Sequence, residues 1–341
     1  MRVFYAPETE AHAPSFFLLR GKVAANEERA ERATRLIAAL DRIGLSHETP
    51  PDAGVAPLAA VHTPRYLAFL AEAARDWQAM AGTGPEVVGN AQPRRPEASY
   101  PDGLVGRAGW HMADLACPVG PHTGHAARRA ADCAVAAAAA LSAGARETYA
   151  LTRPPGHHAG AEVAGGHCFL NNAAIAAAAL ARDGARPAIL DIDVHHGNGT
   201  QAIFYGRADV LTVSIHADPH HFYPWFVGHG AETGAGAGEG YNRNRPLPLK
   251  STDDAWLAAL AAGLDDVARF GADTLVLALG LDVHESDPLG GMAVTTEGLR
   301  RAGELIGQQP LPVLITQEGG YLAPSLTDNA AAFLGAFMEA R

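Results

Sequence analysis

Ala188-Ile189-Leu190-Asp191-Ile192-Asp193-Val194-His195-His196-Gly197-Asn198 begins as a short apolar run and ends as a cluster of carboxylates, imidazoles and an amide. The run Ala188–Ile192 reads as a buried strand, with the polar groups at its carboxyl end. The same pattern recurs three times. Arg153-Pro154-Pro155-Gly156-His157-His158 follows the run Thr148–Thr152, Leu281-Asp282-Val283-His284 follows Thr274–Leu279, and Glu318-Gly319-Gly320-Tyr321 follows Val313–Thr316. Val210–Ile215 is a further strand. Between these runs, Ala126–Leu141, Asn171–Arg182, Asp254–Phe270, Thr296–Leu305 and Ser325–Met338 carry helical apolar spacing. Buried strands alternating with helices predict an α/β domain, its parallel sheet covered on both faces. Carboxyl ends of parallel strands meet at one rim, where such folds place their chemistry.

The N-terminal part is less regular. Arg2–Tyr5 reads as a strand, and Glu27–Ile43 and Thr63–Ala74 read as helices, the second with Pro64 at its first position. Residues 82–109 are rich in Gly and Pro, with turn signals at Arg94-Arg95-Pro96 and Tyr100-Pro101-Asp102-Gly103. A loop of that length in a compact domain is usually functional or disordered, so a lid or an oligomer contact is expected. No composition break divides residues 1–341, and a single domain is expected.

Hydrophobic residues make up 48% and charged residues 18%, the values of a globular chain with a sizeable core. A net charge of −11 argues against bulk-charge binding to nucleic acid. No apolar run reaches the roughly 18 residues of a membrane span; the alanine runs at 134–140 and 173–181 are helix faces. The start of the chain lacks a secretory h-region. Cys117, Cys133 and Cys168 have no metal-type spacing, and so sparse and odd a count suits reduced thiols in the cytoplasm.

Asp193, His195 and the remote Asp282 are suited to a divalent cation with an open coordination position. An Asp at a strand end is also a common turn or cap residue; the adjoining His-His-Gly-Asn and the second strand end favour the metal. Asp191, two residues earlier, takes a different role. His157 and His158 offer imidazoles for proton transfer. A rigid turn with one satisfied ring and one exposed ring is the plainer reading of that pair. Tyr321, behind Gly319-Gly320, offers a hydroxyl that could clamp a carbonyl oxygen, although most Gly-Gly-Tyr triplets are simple turns. Together these groups argue for metal-assisted hydrolysis.

With Gly165-Gly166-His167-Cys168-Phe169-Leu170-Asn171-Asn172 and Ser214-Ile215-His216, these motifs resemble the zinc-dependent histone deacetylase superfamily over nearly the whole chain. The N-terminal stretch and the long loop are most similar to bacterial acetylpolyamine amidohydrolases. The resemblance implies a single arginase/deacetylase-type α/β domain around a mainly parallel eight-stranded sheet. It implies Zn²⁺ on Asp193, His195 and Asp282, and structural K⁺ held by Asp191, Asp193, His195, Ser214 and Ile215. A second monovalent site would fall at Phe204, Arg207 and Val210. His157 and His158 match the tandem catalytic histidines, backed by Asp191 and Asn198, and Tyr321 matches the carbonyl-polarising tyrosine. Gly166, His167, Cys168, Tyr223 and Leu289 fall at substrate-tunnel positions.

Two departures stand out. His167 replaces an aromatic wall residue, and Phe17 stands where polyamine-specific relatives carry a glutamate; Asp102 could supply a carboxylate or be a turn residue. The implied activity is removal of an acetyl or short acyl group from a small acetylpolyamine-like amine, by a homodimer narrowed at the long loop. A protein acyl-lysine deacetylase and a non-catalytic small-amine sensor are the alternatives. A binuclear manganese ureohydrolase would need a second set of ligands, which the His pair and Asp191 do not supply.

Overall fold

The structure, a computed structural model, describes residues 1–93, 97–182 and 184–341. Its strands are β1 (Arg2–Phe4), β2 (Phe16–Leu19), β3 (Lys22–Ala25), β4 (His47–Glu48), β5 (Glu147–Ala150), β6 (Pro187–Asp191), β7 (Leu211–Ala217), β8 (Asn242–Leu247), β9 (Thr274–Leu279) and β10 (Val313–Gln317). Eight form one sheet in the order β4-β1-β5-β10-β9-β6-β7-β8, with every pairing parallel. β2 and β3 form a separate antiparallel hairpin.

The central strands are short and almost wholly apolar because helices remove both of their faces from water. Alternate residues of β9 divide between two cores: Leu275, Leu277 and Leu279 face one, Val276 and Ala278 the other. The first core is closed by helices Glu31–Arg42, Asp253–Phe270, Thr296–Gly307 and Leu326–Glu339. The second is closed by Pro64–Gln78, Thr123–Ser142 and Asn172–Leu180, whose alanines let helix and sheet approach closely. The single α/β domain is therefore as the alternation predicts.

Details differ at the edges. The helix expected from Glu27 starts at Glu31, because Asn26 Oδ1 takes the Glu28 amide at 2.8 Å and the Glu28 carboxylate turns inward onto Arg32 and Arg153. Residues 82–109 are not one loop: Leu104–His111 is helical, and Val87 bridges Val119. The Arg94-Arg95-Pro96 signal lies outside the described residues. Asp102 is exposed just before that helix. The edge strand β8 has no apolar pattern; its Asn and Arg side chains suit an edge that must not recruit another strand.

The strands that precede the four polar motifs, β5, β10, β9 and β6, are consecutive neighbours in the sheet. Parallel pairing puts all four carboxyl ends on the same rim. Segments far apart in sequence are thereby brought to one place.

Candidate active site

Asp191 closes β6, Asp193 and His195 follow in the loop, and Asp282 lies beyond the end of β9. His195 Nδ1 is 3.1 Å from Asp193 Oδ1 and 3.2 Å from Asp282 Oδ2. The outer oxygens are anchored by backbone: Asp193 Oδ2 accepts the Gly319 amide at 2.8 Å, and Asp282 Oδ1 accepts that of Val194 at 3.1 Å. Both carboxylates are fully buried, yet Asp282 Oδ2 has no hydrogen-bond partner among the described residues. A Cβ on Gly319 would lie 2.0 Å from that oxygen, so only glycine lets the backbone pass so close.

Two buried carboxylates against one imidazole leave the cluster short of positive charge. Burial, and then the neighbouring Asp193, push the Asp282 carboxyl up to about 7. Burial opposes ionisation of His195, but contact with Asp193 and Asp282 outweighs it and raises the imidazole to about 9. The Asp193 carboxyl shifts the other way: burial is outweighed by His157 and His195, and it is held below its ordinary range. A fully buried carboxylate oxygen that makes no hydrogen bond among the described residues, 3.2 Å from the His195 imidazole and beside a second carboxylate, fits a divalent cation with a coordination position to spare.

Next to this cluster the rings of His157 and His158 lie 4.0 Å apart. Their partners differ in charge. His157 Nδ1 is 2.9 Å from Asp191 Oδ2, whereas His158 Nδ1 is 2.6 Å from the amide oxygen of Asn198. Burial lowers both imidazoles. For His157 the charges of Asp193 and Asp191 exceed that effect and raise it to about 10. For His158 the positive His157 adds to burial and holds the ring well below the ordinary histidine value. The two shifts run in opposite directions, His157 toward the charged form and His158 toward the neutral one. Glu318, at the end of β10, fixes its backbone: Oε2 accepts the amides of Gly156 at 2.6 Å and His157 at 3.0 Å.

Tyr321 is buried, its hydroxyl 3.4 Å from His167 Nδ1 and its amide donating to Asp287 Oδ2 at 2.7 Å. Arg32 lies under its ring and donates to the carbonyls of Glu318 and Gly320, each at 2.6 Å. Opposite, Gly166 has a left-handed φ of +52°, and a Cβ there would be 2.4 Å from His158 Cδ2. Its amide donates to Asp114 Oδ2 at 3.0 Å, and the Tyr223 hydroxyl donates to the same oxygen at 2.6 Å. Cys168 Sγ is 3.5 Å from the Gly166 carbonyl. Phe222 stacks on His195 at 5.0 Å, and Tyr223 stands edge-on to His158 at 4.9 Å. Aromatic and imidazole rings thus stand beside the trio, with Phe222 and Tyr223 both against His195.

Residues 26–337 match the histone deacetylase domain. The chain belongs to the histone deacetylase family. An acetylpolyamine amidohydrolase of Burkholderia pseudomallei (strain 1710b) is 48% identical over 338 residues, covering 99% of this chain and 98% of its own. Acetylpolyamine amidohydrolase 2 of Pseudomonas aeruginosa is 39% identical over 340 residues, with coverage of 99% and 98%. A crystal structure of the Burkholderia pseudomallei acetylpolyamine aminohydrolase aligns with a TM-score of 0.97, covering 100% of this chain and 99% of that one.

In this histone deacetylase family chain, Asp193, His195, Asp282, His157, His158, Asp191, Asn198, Gly166, Cys168, Tyr223 and Tyr321 gather at the rim. His167 lies in the wall with its ring centroid 5.6 Å from that of Phe17, an apolar contact where a carboxylate was considered. Leu289 is partly buried and donates its amide to Asp287 Oδ1 at 2.9 Å. Asp191 and Ser214 are register partners on β6 and β7, with the buried Ile215 next in line. Arg207 turns outward to Asp209 at 2.6 Å, and its amide donates to the carbonyl of Phe204 at 2.9 Å. Asp114, Phe222, Asp287 and Arg32 were not singled out from sequence. Phe222 adjoins Tyr223 and could have been found; Asp114 and Arg32 sit in segments without a strand-end signal.

Proposed function

We propose that this chain is a zinc-dependent amidohydrolase that removes an acetyl or short acyl group from a small acetylpolyamine-like amine. The observation that supports this reading most is the buried Asp282 Oδ2, which makes no hydrogen bond among the described residues and lies 3.2 Å from His195 Nδ1, in a trio whose Asp193 is 3.8 Å from His157. A Zn²⁺ ion held by Asp193, His195 and Asp282 would supply Lewis acidity, polarising the amide carbonyl and acidifying water.

The remaining roles belong to side chains. Neutral His158, its Nδ1 committed to Asn198, has Nε2 free to take a proton from water and pass it to the leaving amine. Water's oxygen bonds to the carbonyl carbon as the C–N bond breaks. The His157 imidazolium, fixed by Asp191, offsets developing negative charge. The Tyr321 hydroxyl donates to the carbonyl oxygen. The Gly166 carbonyl accepts the substrate's amide N–H, while His167, Cys168, Tyr223 and Leu289 line the approach. Structural K⁺ on Asp191, Asp193, His195, Ser214 and Ile215 would brace the strand ends. We further infer a cytoplasmic homodimer with residues 82–109 at or over the entrance. Among the described residues no helix is long and apolar enough to cross a membrane.

The test is acetate release from N-acetylputrescine, N-acetylspermidine and an acetyl-lysine peptide, with and without chelator. Turnover of the small amines, lost on chelation and restored by Zn²⁺, is the expected result. Preference for the peptide would make this a protein deacetylase. Binding of amines without any acetate release would make it a sensor.

A further inference from the structure

Aromatic rings run outward from the dyad in a series. Tyr223 stands edge-on to His158 at 4.9 Å, and Trp225 stands edge-on to Tyr223 at 5.3 Å. Exposure rises along the series, from His158 at 5% to Trp225 at 52%. Trp225 is also held at a left-handed φ of +61°. That backbone conformation is costly for a bulky side chain and marks functional positions. Core packing does not account for a half-exposed indole held there.

The carboxylates near this path are already occupied. Asp114 Oδ2 takes the Tyr223 hydroxyl and the Gly166 amide, and its Oδ1 takes the Ala116 amide at 2.8 Å. Both oxygens of Asp287 are held by the amides of Leu289 and Tyr321. Phe17 makes the wall beside His167 apolar. A cation moving out along this wall therefore meets the rings of Tyr223 and the half-exposed Trp225, with the Asp114 carboxylate hydrogen-bonded to the Tyr223 hydroxyl. Ring faces attract an ammonium through their quadrupole.

We propose that Tyr223 and Trp225 receive the terminal ammonium of a linear aminoalkyl amide on their ring faces, making Trp225 a specificity-determining residue. The inference rests on the deacetylase reading of the site and names how a cationic substrate is told from a neutral one.

The test compares N-acetylputrescine with N-pentylacetamide, which has the same chain length and no charge, on the zinc-loaded enzyme. Trp225→Leu keeps bulk and removes the π face; Trp225→Phe keeps a weaker one. The ratio of kcat/KM for the charged over the neutral amide should fall about 2- to 30-fold in the leucine variant, with phenylalanine between. A ratio within twofold of wild type, or a shift in oligomeric mass as the main effect, overturns the proposal. If the wild type releases no acetate from either amide, the deacetylase reading fails. Calorimetric binding of N-acetylputrescine then decides the ring-face inference alone: equal affinity in wild type and Trp225→Leu sinks it, weaker affinity in the variant supports it.

Discussion

His158 directs Nδ1 to the amide oxygen of Asn198 at 2.6 Å. A neutral partner fixes the ring's tautomer without stabilising its charged form. Asn198→Asp should stabilise the imidazolium and raise the pKa of His158. A base must be unprotonated to work, so the acid limb of kcat/KM should move to higher pH, with the alkaline limb in place. A pH–rate profile for each protein checks this. An unmoved acid limb would assign that titration to another group.

Removing the proposed base should be more severe. His158→Ala is expected to lower kcat by about 10²–10⁴-fold, the usual range for general acid–base catalysis. Zinc content measured by elemental analysis should match wild type, because His158 lies outside the Asp193–His195–Asp282 trio.

The trio also links metal to pH-dependent stability. Without a cation, Asp282 rises from 3.8 to about 7 and His195 from 6.5 to about 9. A raised folded-state pKa contributes stability that is full below the unfolded value and lost as pH rises through the folded one. Metal-stripped protein should therefore lose stability as pH climbs through about 7 and then about 9. An ion on the proposed Asp193–His195–Asp282 site would replace both protons and remove that loss. Thermal melts should show the Tm gap between loaded and stripped protein widening with pH. A gap that is constant or shrinks would argue that the ion binds elsewhere.

Gly166 makes a steric prediction. A Cβ there would lie 2.4 Å from His158 Cδ2, on a backbone at φ +52°. Gly166→Ala should displace the His158 ring, lowering kcat by about 10²-fold, as expected when a reacting group is misplaced by about an ångström. The melting temperature should fall modestly, and zinc content should hold. Wild-type turnover would mean that the loop gives way without moving the dyad.

Much of this arrangement was legible in sequence. The apolar runs before Asp191, Asp282, His157 and Tyr321 marked four strand ends, and parallel pairing was enough to join them at one rim. Helix starts and edge strands were harder. β4 has two residues and no pattern, and Glu31 begins its helix only because a buried Glu28 holds the preceding turn. Asp114 was missed because its value lies in what it holds, the Gly166 amide and the Tyr223 hydroxyl, and both come from distant loops. Local periodicity carries no record of such partners.

β10, the strand latest in the chain, lies between β5 and β9 at the middle of the sheet. The two flanking halves cannot close on each other until it arrives. It also delivers Glu318 to the His157 backbone and, four residues beyond its end, Tyr321 to His167. Competence for catalysis should thus appear as a late, all-or-none event in folding. A chain cut before Val313 would leave two stacks of strands with a gap at the keystone position, and hydrogen exchange during refolding should find β5, β9 and β10 gaining protection together.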